Sequence, residues 1–318
     1  MALNTHIHRL ESRDFLEMEE ALGGWDHRYQ QVTPGTFRGG LLLTQTDSLG
    51  IFRNRWERAI HYQGTPPEGT VALAITLAQS GDGHWMGEPA TVDDVLVQPR
   101  RAAGEYISAS LWDSVVFTIP EVDLHERVAD ITRADPTDML QRPRLAHLSP
   151  ELGAEIRKAS TSYLHAAAQS LVDPDASLLL SEMAQSTTEL LTHALVSSRL
   201  TPELPASTRR QRQLIAACAK RCNDRQDQPV RIEDLAHDLG VSERTLRYAF
   251  QVVTGAPPLT FLKRQRLNQA YRALLKADPA MTQVKGVALT HGFRHFGQFA
   301  HDYKHLFGET PSKTLERH

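Results

Sequence analysis

Cysteine is nearly missing from this chain. The two present in 318 residues, Cys218 and Cys222, cannot form the disulfide framework of a small secreted fold. They lie four apart on a helical face with Leu214 and Ile215, the pattern of two small buried thiols rather than of a redox pair. Long apolar runs are missing as well: stretches such as 178–180 fall far short of the ~20 residues that a membrane span requires. The opening residues, MALNTHIHRLESRDF, hold no apolar stretch of signal-peptide length. The expectation is a cytoplasmic protein without membrane contact. Phosphate loops, nucleophile elbows and paired-cysteine zinc spacings are also lacking. The one His-x-His, at His6 and His8, has no glutamate at a fitting distance, and His61 and His84 are isolated. No metal, no cofactor and no catalysis are therefore expected.

What is present is divided unevenly. The net charge of −3 conceals a basic stretch, 206–318, with 19 Lys and Arg against 10 Asp and Glu. The remaining 16 positive and 28 negative residues leave the rest of the chain at −12. A basic third attached to an acidic remainder suits nucleic-acid contact at one end. The length calls for more than one domain.

The first ~130 residues are rich in short strand-like runs, such as TVALAITLA, DDVLVQP and DSVVFTIP, separated by turn signals including Gly81-Asp82-Gly83. That spacing favours a barrel or sandwich. From Pro150 the period changes, and 150–171 and 175–199 read as two helices. Leu178, Leu179, Leu180, Met183, Leu190, Leu191 and Leu195 serve either packing or dimerisation there. A proline-bearing linker at 201–208 follows, and everything after it is helical in pattern.

Within that helical part, 231–254 (RIEDLAHDLGVSERTLRYAFQVVT) is built like a helix-turn-helix. Ile232, Leu235, Ala236 and Leu239 make a first helix that stops at Gly240. Val241 plugs the turn and Ser242 is placed to cap the next helix. That second helix carries Leu246, Ala249, Phe250 and Val253 on one face and Glu243, Arg244, Arg247 and Tyr248 on the other. The pattern recurs at 284–307. Val284, Val287 and Ala288 precede a Gly292-Phe293 turn, and Phe296, Phe299, Ala300 and Tyr303 follow, with Arg294, His295, Gln298 and His301 as polar candidates for DNA contact. Between the units, 258–277 forms another amphipathic helix with Lys263, Arg264 and Arg266 suited to phosphates.

The segments VSERTLRYAFQVVTG and GFRHFGQFAHDYKHLFGETPSKTL resemble the AraC/XylS family of transcription regulators over about 105 residues. Less closely, PGTFRGGLLLTQTDSLGIFRNRW and GFRHFGQFAHDY are similar to the subgroup containing the ethanolamine-operon regulator. The resemblance implies an α+β chain: an N-terminal cupin-like β-barrel sensor at 1–148, a helical dimerisation segment at 149–200, the linker, and an all-α double helix-turn-helix domain at 209–318. It implies two recognition helices in successive major-groove segments. By position, Glu243, Arg244, Arg247 and Tyr248, then Arg294, His295, Gln298 and His301, face the bases. Ser242, Lys263 and Arg264 lie toward the phosphates. Gly286 departs from the family, which usually has a polar helix-former there. The implied partners are promoter DNA, RNA polymerase, a small-molecule effector and a second copy of the chain, with activation as the more common output.

For the effector, the tryptophans of the N-terminal half (Trp25, Trp56, Trp85 and Trp112) offer aromatic walls. Arg53, Arg55 and Arg58 flank Trp56, and Arg100 and Arg101 follow a strand end, placed either for an anion or on a solvated strand face. Trp56, Trp85, Arg55 and Arg58 are the effector-site candidates. Two alternatives stay open: control by a protein partner, and a cupin-type metalloenzyme with a DNA-binding tail.

Overall fold

Strands dominate the chain up to Pro120 and helices dominate after it. The computed structural model describes residues 6–45, 49–81, 83–170, 177–202, 205–224 and 231–317. Asp82 of the expected turn, and the side chains of His6 and Leu178, lie outside the described residues. Contacts divide the chain into one unit of Met1–Tyr29 and Arg38–Pro202 and a second of Gln30–Phe37 and Glu203–His318.

The first unit opens with β1 (His6–Ser12), α1 (Phe15–Glu20, capped by Asp14), β2 (Asp26–Gln31, whose last two residues belong to the second unit), β3 (Gly39–Gln45), β4 (Gly50–Trp56) and β5 (Ile60–Thr65). There follow β6 (Thr70–Ser80), β7 (Gly83–Trp85), β8 (Glu88–Ala90), β9 (Asp94–Pro99), β10 (Gly104–Ile107) and β11 (Leu111–Pro120). The unit closes with α2 (Glu121–Thr132), α3 (Thr137–Leu140), β12 (Arg144–His147), α4 (Pro150–Ser170), α5 (Ser177–Ser197) and β13 (Arg199–Leu200). The strands form two sheets, ordered β1-β3-β4-β11-β6-β9-β12-β13 and β2-β5-β10-β7-β8. The cupin-like barrel that the family resemblance implies would leave no sheet edge if it closed on itself. Here the ladders stay separate, so the barrel is open.

Period-two alternation explains why the central strands are apolar almost throughout. Val71, Leu73 and Ile75 of β6, Val95 and Val97 of β9, and Val115, Phe117 and Ile119 of β11 share one core. That core also takes Leu124 and Val128 of α2, Ile156, Tyr163 and Leu164 of α4, and Leu180, Leu191 and Leu195 of α5. The alternate residues, Ala72, Ala74, Leu96, Gln98 and Val116, line an internal cavity on the opposite face. Both surfaces of this sheet are therefore covered. In α5, Leu179 is about half exposed while Leu180, Leu191 and Leu195 are buried in the core.

The second unit holds α6 (Ala206–Asp224), α7 (Ile232–Asp238), α8 (Glu243–Thr254), α9 (Pro258–Leu275), α10 (Val284–Thr290), α11 (Phe296–Phe307) and α12 (Pro311–Leu315). The first of these helices begins at Ala206, inside the stretch read from sequence as a linker. Its Ile215, Cys218 and Cys222 pack with Ile232, Leu235 and Ala236 of α7, with Leu246, Phe250 and Val253 of α8, and with Phe261 and Leu262 of α9. Burial pushes the Cys218 thiol up to about 12 and also raises that of Cys222. A second cluster stacks Tyr271 of α9 on Phe307 of α11 at 4.6 Å, with Tyr303 and Phe299 continuing the row.

Residues 30–37 fold with these helices. The Gln31 N–H donates to Asn268 Oδ1 at 2.8 Å, and Asn268 Nδ2 returns a bond to the Gln31 carbonyl at 3.0 Å. Gln31 Nε2 donates to the Leu306 carbonyl at 2.6 Å, and the Gly35 N–H reaches the same carbonyl at 3.0 Å.

Candidate nucleic-acid interface and ligand cavity

The turn between α7 and α8 closes at Gly240, whose φ of +64° lies in the left-handed region that suits glycine. The Val241 N–H then donates back to the Ala236 carbonyl at 3.0 Å, sealing the end of α7. Between α10 and α11 the construction recurs: Gly292 has φ +79°, and the Phe293 N–H donates to the Ala288 carbonyl at 2.9 Å. Ala236 and Ala288 are both buried, as a close crossing of two helices demands.

In α8, the apolar face of Leu246, Ala249, Phe250 and Val253 is buried. Ser242 caps the helix by accepting from the Thr245 N–H at 3.1 Å. The opposite face is exposed at Arg244, Arg247 and Tyr248, the last with 61 % of its surface open. Arg247 pairs with Glu243 across one turn at 3.2 Å. Arg244 has no ion pair among the described residues, which leaves its guanidinium fork available.

Along α11, Phe299 and Tyr303 are buried while Arg294, His295, Gln298 and His301 are exposed. His295 occupies the N-cap without capping through its side chain, so the first amides of α11 keep no side-chain acceptor there. Sequence reading missed Asp302. Its carboxylate accepts from Lys263 Nζ and from Gln298 Nε2, each at 3.1 Å, and ties α9 to α11. The i, i+4 spacing of Gln298 and Asp302 is the signal that would have found half of that link. Arg264 is half-buried without an ion pair among the described residues, and burial lowers its pKa.

In the first unit, all four tryptophans line the internal cavity, together with Tyr29, Tyr62, Tyr106, Phe52, Asn54 and Gln98. Its volume is about 50 Å³. Because β4 alternates, Phe52, Asn54 and Trp56 face this cavity while Arg53 and Arg55 lie on the other side of the strand. Arg53 there forms a two-pronged pair with Asp113, at 2.8 and 2.5 Å, and Arg55 bonds Glu11 at 3.0 Å. Arg58 donates to the Glu57 carbonyl. Arg100 contacts Thr65, and Arg101 pairs with Glu121 at 3.2 Å. The structure thus brings Trp56 and Trp85 together and places Arg55 and Arg58 outside their cavity. Tyr29, Tyr62 and Tyr106 were the unforeseen members. Alternation around them in β2, β5 and β10 was the available signal. His61 bonds Glu105 at 2.8 Å. No group of three or more metal-ligating side chains converges among the described residues.

Comparison with known proteins places the helical pattern in a family. The family described as "Helix-turn-helix domain" matches residues 235–317. A probable thc operon regulatory protein of Rhodococcus erythropolis is 42 % identical over 88 residues, 28 % of this chain and 26 % of that protein. The XylDLEGF operon transcriptional activator 2 of Pseudomonas putida is 34 % identical over 89 residues, 28 % of this chain and 57 % of that protein. The chain thus spans about a quarter and somewhat over half of the lengths of these two relatives. A solved probable AraC family transcriptional regulator from Rhodopseudomonas palustris is 38 % identical, covering 33 % of this chain and 96 % of that one, with a TM-score of 0.29. On that identity across nearly the whole of the Rhodopseudomonas chain, this protein belongs to the AraC/XylS family.

Proposed function

We propose that the chain is a sequence-specific DNA-binding transcription regulator, acting as an activator and controlled by a small molecule held in its N-terminal unit. The observation that carries the reading is the repeated glycine-turned helix pair, each with an exposed polar face on its second helix. Two such helix-turn-helix units read two major-groove segments about one helical turn, ~34 Å, apart.

On this reading α8 and α11 are the recognition helices. Arg244 and Arg247 offer the fork that matches guanine O6 and N7. Gln298 suits adenine or a phosphate. Glu243, Tyr248, Arg294, His295 and His301 complete the two faces. Lys263 and Arg264 lie toward the backbone phosphates, and the amino ends of α8 at Ser242 and of α11 at His295 add N–H donors. RNA polymerase contact and pairing of two copies complete the proposed mode of activation.

Mapping the sites that the protein occupies across its own genome tests this. Sharp peaks that share a motif of two half-elements about one turn apart are expected. Broad occupancy without a motif, persisting at every growth condition, would overturn specific recognition.

A further inference from the structure

The cavity of the first unit has an unusual chemical make-up for a buried space. Its lining combines Trp25, Trp56, Trp85 and Trp112 with Tyr29, Tyr62, Tyr106 and Phe52, and no Asp, Glu, Lys, Arg or His belongs to it. The imidazole of His27 meets Trp25 and Tyr29 edge-on with centroids at 6.0 and 4.9 Å, without joining the lining. The arginines of β4 are held on the opposite strand face by Asp113 and Glu11. An ion entering the cavity would therefore lose its hydration and meet no opposite charge.

The polar atoms present are nonetheless incompletely used. Trp56 donates to Ser108 at 2.9 Å, Trp112 to Thr76 at 3.2 Å, and Tyr62 to Gln98 at 3.0 Å. Two others find no hydrogen-bond partner among the described residues: Trp85 Nε1 and Asn54 Oδ1. Trp85 and Asn54 are each only 3 % exposed. Buried polar atoms without partners are costly and rare in folded chains. A guest that accepts from the indole N–H and donates to the amide oxygen removes that cost. The free volume of about 50 Å³ holds only a few waters, so a guest larger than that is accommodated only as a wall moves. Trp25 is the half-buried indole of the four and the natural one to swing.

We infer that this cavity binds a small, uncharged, single-ring aromatic molecule carrying both a hydrogen-bond acceptor and a hydrogen-bond donor. The inference rests on the effector reading above and supplies the chemical class of the effector. Flat rings stack or meet the walls edge-on, the arrangement the lining already uses: Trp56 and Trp112 lie 4.7 Å apart, and Tyr106 and Trp112 5.1 Å.

All four tryptophans of the chain belong to this lining, so intrinsic tryptophan emission reports on the cavity alone. The full-length protein is titrated with benzamide, benzoate, benzylammonium and cyclohexanecarboxamide, following emission and melting temperature. Benzamide is expected to change the emission saturably and raise the melting temperature. Benzoate and benzylammonium should bind at least tenfold more weakly, and the saturated-ring amide more weakly than benzamide. Trp85→Phe keeps a ring but removes the donor, and should weaken benzamide about tenfold, the equivalent of one hydrogen bond. Asn54→Leu serves as a second variant that removes the acceptor. Benzoate binding as tightly as benzamide, an unchanged affinity in folded Trp85→Phe and Asn54→Leu, or no saturable binding of any probe would each overturn the proposal. None of these readouts involves DNA, so loss of the ligand class leaves the DNA-binding reading standing.

Discussion

Arg244 and Arg247 sit one turn apart on α8, yet their surroundings differ. Arg247 is held by Glu243 at 3.2 Å, whereas Arg244 has no ion pair among the described residues. An exposed i, i+4 pair contributes only about 0.3–0.5 kcal/mol, so DNA readily competes for Arg247. Either arginine replaced by alanine is expected to lose about 1–3 kcal/mol of specific binding and to relax the preference at one base pair. Competition binding against a randomised site checks this; unchanged preference in both variants would remove α8 from base readout. At Cys218 the expectation concerns stability. Burial holds its folded-state pKa at about 12, above the ordinary 9.0, so folding favours the neutral thiol. That contribution is complete below pH 9 and fades as the pH rises from about 9 toward about 12. Cys218→Ala should flatten the alkaline decline in the denaturation midpoint. Thiol labelling at pH 8 should be slow in the native chain and fast in denaturant.

At the scale of elements, the two helix pairs are not equally secure. The first helix of the second pair, α10, carries Gly286 in its interior, exposed, with nothing within 4 Å of where a Cβ would stand. Glycine within a helix costs roughly 0.5–1 kcal/mol relative to alanine. Gly286→Ala is therefore expected to raise the stability of the second unit by up to ~1 kcal/mol, read from chemical denaturation, with DNA affinity unchanged. Destabilisation would mean that the backbone there departs from helical geometry in solution. Gly240 and Gly292 are the opposite case, since their positive φ strains any Cβ-bearing replacement. The helical elements were legible because Leu246, Ala249, Phe250 and Val253 repeat at three and four residues around an unmistakable glycine turn. The strands were legible as strands but not as faces. Arg53, Arg55 and Trp56 look like one cluster in sequence, and only the pairing of β4 between β3 and β11 decides that 54 and 56 look inward. The register shift at Asp113/Ser114 in β11 is likewise invisible to a simple period-two count.

At the scale of the molecule, an acidic and a basic portion share one chain, and one segment belongs to the unit its sequence position would not suggest. The charge division, −12 before residue 206 and +9 from there on, predicts that DNA binding by the basic portion weakens steeply with rising salt. Residues 30–37 are remote in sequence from the helices they fold with, so no local pattern betrays them. Their anchor is Gln31. Its backbone closes a two-bond pair with the buried Asn268, and its side chain donates to the carbonyls of Leu306, Thr33 and Gly35. Gln31→Ala keeps the backbone pair but leaves the Leu306 carbonyl one donor fewer, at the last turn of α11 where carbonyls already lack helical partners. The expected cost is about 1–3 kcal/mol, localised to the second unit. Hydrogen exchange should show faster opening of α9 and α11 with the strands of the first unit unchanged, and the tryptophan-detected transition should not move. Exchange in α9 and α11 identical to the parent protein would mean that residues 30–37 do not hold these helices in solution. A free fragment starting at residue 203 would then be as stable as the same helices in the full chain; with the clasp intact, it is the less stable of the two.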